Sequence, residues 1–306
     1  MSIWLRMVLV ALFWAGLYPI GHITVDAIHP IVVAFYRFLL TSLCLVPLLM
    51  MSKKDSWKIQ KQEWVPLLLL GLTGIFLYNG LFFMGLQAAG AVKSAVIIAF
   101  IPIVTSILAR IFYKDVFTPK KIIGILLSLA GVILVVTEGN LMSIFQLTPG
   151  DIWLLSAVVV FSVYALLGKR FMITMSPLKT TTYATVFGTI LFVPLVLWIG
   201  LPAVTGITMM QWSALLYMAF FATVIAFVWW NKGVAELGPG TTAIFLNLVP
   251  VFTLFLSLFF GDTIYWVHVV GTILVFAGVR LTTQQQAAKK ASPLPPTSVV
   301  GKRNIQ

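Results

Sequence analysis

The sequence has 306 residues, is 60% hydrophobic and only 9% charged, and combines a mean hydropathy of +1.06 with a net charge of +12. A soluble domain keeps about a quarter of its residues charged because its surface faces water, so this composition excludes an ordinary soluble enzyme and makes lipid the solvent. The basic residues fall in short clusters between apolar runs, which reads as membrane topology and not as a nucleic-acid footprint.

A helix needs about 20 apolar residues to cross a hydrocarbon layer roughly 30 Å thick, and the chain divides into ten such segments. They run Leu5 to Val25, Ile28 to Met50, Trp64 to Gln87, Val92 to Phe112, Lys121 to Thr137, Ile152 to Gly168, Thr180 to Ile199, Trp212 to Val234, Thr241 to Phe260 and Trp266 to Thr282. The first has the basic-then-apolar form of a signal peptide but no small-x-small cleavage site, so it is expected to be a retained helix. Cys44 lies within an apolar run; no intramolecular disulfide can form, and the residue is expected to pack inertly. Trp4, Trp57, Trp64, Trp212 and Trp266 stand at segment ends, the depth that indole rings prefer. After Gln284 the composition turns to Gln, Lys, Pro and Ser, and residues 284–306 are expected to form a disordered cytoplasmic tail.

With the N-terminus in the cytoplasm, 18 of the 20 basic residues fall on the inner side, leaving Lys93 near an outer end and Arg37 inside a segment. This positive-inside asymmetry predicts a multi-pass protein of the cell membrane, as in a bacterial inner membrane, with both termini cytoplasmic.

An offset of 147 or 148 residues superposes the two halves. Pro30, Tyr36 and Pro47 meet Pro177, Tyr183 and Pro194; Trp64, Gly85, Gly90 and Pro102 meet Trp212, Gly233, Gly238 and Pro250; Gly124 and Ala130-Gly131-Val132 meet Gly271 and Ala277-Gly278-Val279. Five helices per half is an odd number, so the second half must insert upside down relative to the first. The expected fold is therefore all-α and membrane-integral, ten helices in two inverted five-helix repeats, residues 1–138 and 151–283. Halves of this kind exchange conformations, opening a shared site to one side and then to the other.

The order of the motifs resembles the drug/metabolite transporter superfamily, specifically its ten-helix EamA-type members. The resemblance is carried by F-W-A-G-L-Y at 13–18, H-P-I-V-V-A-F-Y-R-F-L-L at 29–40 and the stretch from Leu81 to Val132, with the second half repeating the order through Val279. Two departures stand out: Lys114-Asp115 and Gly261-Asp262 replace the family's usual Gly-Glu pairs, and His22 replaces a frequent Lys. The resemblance implies movement of small metabolites, often export of amino acids or related solutes, through a central cavity lined by helices 1, 3, 4, 6, 8 and 9.

Charge inside a membrane is costly and usually marks function. Arg37 suits either a bidentate solute carboxylate or a packing role on backbone carbonyls. Lys93, in the first turn of the fourth helix, is either an anion-attracting residue or a solvated edge lysine. Asn79, Asn231 and Asn247 must face another helix or a cavity, because lipid leaves an amide unsatisfied. Trp14, Tyr18, Tyr78, Phe82, Tyr164 and Trp230 are the aromatic candidates for walls of a pocket, the alternative being ordinary packing. The acidic residues fall at helix ends or in loops, so no buried carboxylate is expected to relay protons, and facilitated diffusion or exchange is the expected mode.

Catalytic, metal and cofactor signatures are missing: there is no Walker loop, no H-E-x-x-H, and His22, His29 and His268 lack ligand spacing. The expected function is a secondary transporter of small organic metabolites, with amino acids, aromatic ones included, as the first choice. A sugar, nucleotide-sugar or lipid-linked translocator would want more basic residues in the cavity, and a membrane-embedded enzyme would want a His, Asp or Ser cluster at one face. The expected partners are a small-molecule solute and membrane lipids, not nucleic acid, with the chain acting as a monomer or homodimer.

Overall fold

The computed structural model describes residues 1–53, 55–114, 118–137, 140, 142, 148–172, 174–200, 206–257 and 265–291. Among these the protein is all-helical, and eight helices are long and apolar enough to cross a membrane. Helices dominate because lipid offers no partner for a backbone N–H or C=O, so each segment must satisfy its own.

The first crossing joins α1 (Ile3–Ala15) to α2 (Leu17–Ala27) at Gly16, and α3 (Pro30–Met51) returns. α4 (Trp64–Leu70) passes through a wide π-type turn, Gly71–Leu77, into α5 (Tyr78–Ile98), which α6 (Ile101–Tyr113) follows. α7 (Pro119–Thr137) ends the first half. In the second, α8 (Pro149–Phe171) and α9 (Pro177–Ile199) precede α10 (Met209–Ala219), which continues through a second π-type turn, Phe220–Ile225, into α11 (Ala226–Leu237). α12 (Pro239–Ala243), a 3-10 turn at Ile244–Asn247 and α13 (Leu248–Ser257) make one further crossing, and α14 (Trp266–Ala291) completes the described chain. Proline opens α3, α8, α9 and α12, where its missing N–H costs nothing and its φ is already helical.

Two glycines mark matching breaks. Gly90, inside α5, has φ 78° and ψ 167°, and Gly238, before α12, has φ 84° and ψ 157°. That region is essentially closed to residues with a Cβ, so each long apolar run bends at its glycine. α7 packs on α14 through glycine as well: Gly124 lies on Gly278 and Gly131 on Gly271, and a methyl on Gly131 would stand 2.5 Å from the Gly271 carbonyl oxygen. Small residues of this kind let two helix backbones touch, which is where attraction comes from when lipid is as apolar as the side chains.

Several expectations change. Cys44 is exposed on the outside of the bundle, not packed within it. α14 runs as helix to Ala291, past Gln284, because Gln, Ala and Lys are good helix formers even without an apolar face; residues 292–306 of the expected tail lie outside the described residues. Glu63 and Asp151 sit at helix starts as expected and each closes a capping box there, but both are buried, at 6% and 4% exposure, Glu63 against Lys179.

Candidate functional site

An enclosed chamber lies where the two halves meet. The first half contributes Trp14, Leu17 and Tyr18 from α1 and α2, Arg37 from α3, and Tyr78, Asn79, Phe82 and Ile98 from α5; the second contributes Phe227 from α11, Leu246 from the 3-10 turn and Val249 from α13. Its volume is about 30 Å³, room for water but too little for an organic solute unless the walls move. The walls are rings in edge and tilted contact: Tyr18 meets Phe82 at 5.7 Å, Tyr78 meets Phe82 at 5.9 Å and Trp14 meets Phe227 at 5.4 Å. Six residues expected from the sequence are thus brought together, and the lining takes in the second helix, which the resemblance omits.

Arg37 is 1% exposed and bridges the halves. Its Nε donates to Thr223 Oγ1 at 2.9 Å, Nη1 to Asn79 Oδ1 at 3.3 Å and Nη2 to the Ala222 carbonyl at 3.3 Å. The guanidinium also lies over the rings of Phe38, at 4.9 Å, and Phe83, at 5.9 Å. No carboxylate is recorded with it among the described residues, and the two 3.3 Å contacts are long for bonds from a cation, which typically shorten to about 2.7–2.9 Å. Arg37 therefore braces the two halves, using three of the five N–H donors of its guanidinium.

The carbonyls that Arg37 and Asn79 use come from the π-type turns. A wide turn leaves a carbonyl without its helical partner, and such turns recur at functional sites. Ala222 O accepts from Trp14 Nε1 at 2.8 Å as well as from Arg37, while Gly74 O accepts from Asn79 Nδ2 at 3.0 Å. Gly74 and Ala222 are equivalent by the 148-residue offset.

Below the chamber lies an aromatic floor. Trp14 meets Trp230 at 5.2 Å, Phe161 meets Trp230 at 5.2 Å and Tyr78 at 4.5 Å, and Phe161 meets Tyr164 at 5.7 Å. Beyond it Tyr164 donates to Asn231 Oδ1 at 2.9 Å, and Asn231 Nδ2 donates to Thr181 Oγ1 at 2.9 Å. Tyr164, Trp230 and Asn231 are therefore one layer removed from the chamber. Trp230 Nε1 is buried with no hydrogen-bond partner among the described residues.

Asn247 is not brought to this chamber's wall: its Nδ2 donates to Ser128 Oγ at 2.5 Å, tying the 3-10 turn to α7. The Lys93 side chain lies outside the described residues. Sequence reasoning missed Phe227, although its match to Asn79 by the 148-residue offset was a readable signal. It also missed Leu17, Ile98, Leu246 and Val249, whose apolar side chains look like those of any lipid-facing residue. Among the described residues no group of His, Cys, Asp and Glu is arranged to hold a metal ion.

The chain matches the model of the EamA-like transporter family over residues 1–137 and 148–284. It is 33% identical over 282 residues to the uncharacterized transporter YyaM of Bacillus subtilis (strain 168), covering 91% of this chain and 92% of the relative. It is also 24% identical over 294 residues to a protein of Streptantibioticus cattleyicolor named "Probable terminal-alkyne amino-acid exporter", covering 94% and 95% of the two chains. A crystal structure whose description states no function superposes with a TM-score of 0.76 at 17% identity, covering 95% of this chain and 99% of the other, and so shares the fold. A multi-pass helical bundle with a chamber between its halves, matched by the family model along nearly its whole length, identifies the chain as a member of the EamA-like transporter family.

Proposed function

We propose that this protein is a secondary transporter that exports small organic metabolites by alternating access, using ten membrane-crossing helices in two inverted five-helix repeats. The glycine contacts between α7 and α14 support the inversion. The 147-residue offset maps Gly124 to Gly271 and Gly131 to Gly278, so the contact Gly124–Gly278 maps onto Gly271–Gly131, which is also present. Contacts that exchange in this way are expected of like halves related by a two-fold axis in the membrane plane. On this reading α7 and α14 are the fifth and tenth crossings, and both termini lie in the cytoplasm.

The observation that carries the transport reading is Arg37, a buried cation bonded across both halves on the wall of an enclosed chamber. A guanidinium there suits a solute carboxylate, and rings of Trp14, Tyr18, Tyr78 and Phe82 suit an apolar or aromatic body. Amino acids, aromatic ones included, combine the two. Asn79 positions Arg37, and Trp230 and Tyr164 in the floor, with Asn231 behind them, form the path that the solute meets after the chamber. Lys93 is kept as an anion-attracting residue at the outer end. The name of the Streptantibioticus relative is in line with amino-acid export. Movement is by facilitated diffusion or exchange, and the chain acts as a monomer or homodimer.

The test is counterflow with purified protein in proteoliposomes, preloaded in turn with amino acids, sugars and nucleotides. Accumulation of labelled aromatic or aliphatic amino acids above empty liposomes is the expected result. Accumulation of sugars or nucleotides alone would overturn the substrate class, and none with any solute would overturn transport.

A further inference from the structure

The transport reading leaves one buried ion pair unused. Lys179, in the first turn of α9, spends all three of its N–H bonds: on Glu63 Oε2 at 2.6 Å, Glu63 Oε1 at 2.9 Å and the Lys58 carbonyl at 2.9 Å. The two side chains are 7% and 8% exposed. Glu63 Oε2 also accepts from the Gln60 N–H at 2.7 Å, closing the capping box that starts the helix at Trp64. One turn along α9, the Tyr183 hydroxyl donates to the Trp57 carbonyl. Residues 57–63 of the first half are thus stitched to the second half at the end of the bundle rich in basic residues.

The other half supplies an internal comparison. The capping box recurs at the start of α10, where Thr208 and Gln211 stand 148 residues after Gln60 and Glu63. There an amide takes the place of the carboxylate, and the counterpart of Lys179 at the 147-residue offset is Val32. Val32 and Gln211 line a cleft of about 300 Å³, together with His29 and Gly206. Matching positions therefore hold a sealed ion pair at one end of the bundle and an open cleft at the other. Since a glutamine closes the box at Gln211, capping alone does not require the charge on Glu63.

A buried ion pair adds little net stability, because desolvating the two charges offsets their attraction. What it does supply is an abrupt difference between joined and parted states, since parting is tolerable only where water reaches both ions. We infer that Glu63 and Lys179 are a cytoplasmic latch: joined, they hold the halves together below the aromatic floor, and they part when the path opens to the cytoplasm. This rests on the alternating-access reading above and adds to it the pair that closes the inner side.

The test uses the full chain with Cys44→Ser and one reporter cysteine. Gly168→Cys lies near the inner end of α8, where a Cβ would stand 3.9 Å from Asn231 Oδ1. Gly206→Cys, in a second preparation, reports the outer cleft. A membrane-impermeant maleimide is applied to inside-out vesicles for the first and right-side-out vesicles for the second. Glu63→Gln, which keeps a capping side chain, is expected to raise labelling at position 168 by about tenfold, a coupling within the usual range for conformational switches, and to lower it at position 206. Unchanged labelling at position 168, or a rise at both reporters together, would overturn the latch. Labelling needs no solute, so it reads the latch even if counterflow finds no substrate; flux with unchanged labelling would sink the latch and spare transport.

Discussion

The side-chain hydroxyls of Ser42 and Thr189 lie 3.3 Å apart, and the two residues are separated by 147 positions, the offset that superposes the two halves of the chain. Ser42 also donates to Phe38 O, and Thr189 to Thr185 O, so the same local bond recurs on either side of the contact. α3 and α9 therefore meet at matching positions, as α7 and α14 do through their glycines.

Those glycines give the first prediction. Gly131→Val places carbon against the Gly271 carbonyl oxygen and the Val275 N–H, forcing α7 from α14. Overpacking of this kind costs about 1–3 kcal/mol, seen as a lower Tm of the purified protein. Gly206→Ala is the control: nothing lies within 4 Å of the added carbon, and the Tm should not move.

Arg37→Ala removes the donors to Thr223, Asn79 and Ala222 O, leaving acceptors buried, at about 1–3 kcal/mol for each that stays unsatisfied. Arg37→Lys keeps the charge but not the planar fork. If the guanidinium also takes the solute carboxylate, the lysine variant should retain most of the thermal stability lost in the alanine variant while solute affinity falls about tenfold, roughly the value of one charge-assisted bond. Equal solute binding by the Arg and Lys forms in a ligand-stabilisation assay would reduce Arg37 to a brace.

Trp14→Ala and Asn247→Ala should separate binding from scaffolding. Trp14 lines the chamber and caps Ala222 O, so its loss should weaken solute binding as well as stability. Asn247 ties to Ser128 away from the chamber wall, so its loss should lower Tm and leave solute affinity within about twofold. The reverse pattern would move the site toward α7.

Topology is open to direct measurement. In the Cys44→Ser background, cysteines at Lys58 and Lys120 should react with an impermeant maleimide only from the cytoplasmic side. Reaction of either from outside would overturn the cytoplasmic placement of these two loops and, with it, of the N-terminus.

Much of this architecture was legible because hydrocarbon imposes its rules residue by residue. The apolar runs, the basic clusters between them, the doubled glycines and prolines and the lone cation Arg37 each state a local requirement that needs no knowledge of neighbours. The segments Pro30–Met51 and Pro177–Ile199 begin at the prolines that the repeat pairs, and Gly90 and Gly238 break their helices at matching places. Partnership was not legible. Glu63 and Lys179 read as loop charges, yet they are buried against each other from positions 116 residues apart. Asn79, Asn231 and Asn247 looked alike, and only packing sent the first to Arg37, the second to Tyr164 and the third to Ser128. The physical reason is that lipid dictates what each helix must be, whereas which faces meet depends on side-chain fit between helices, and no single segment carries that information.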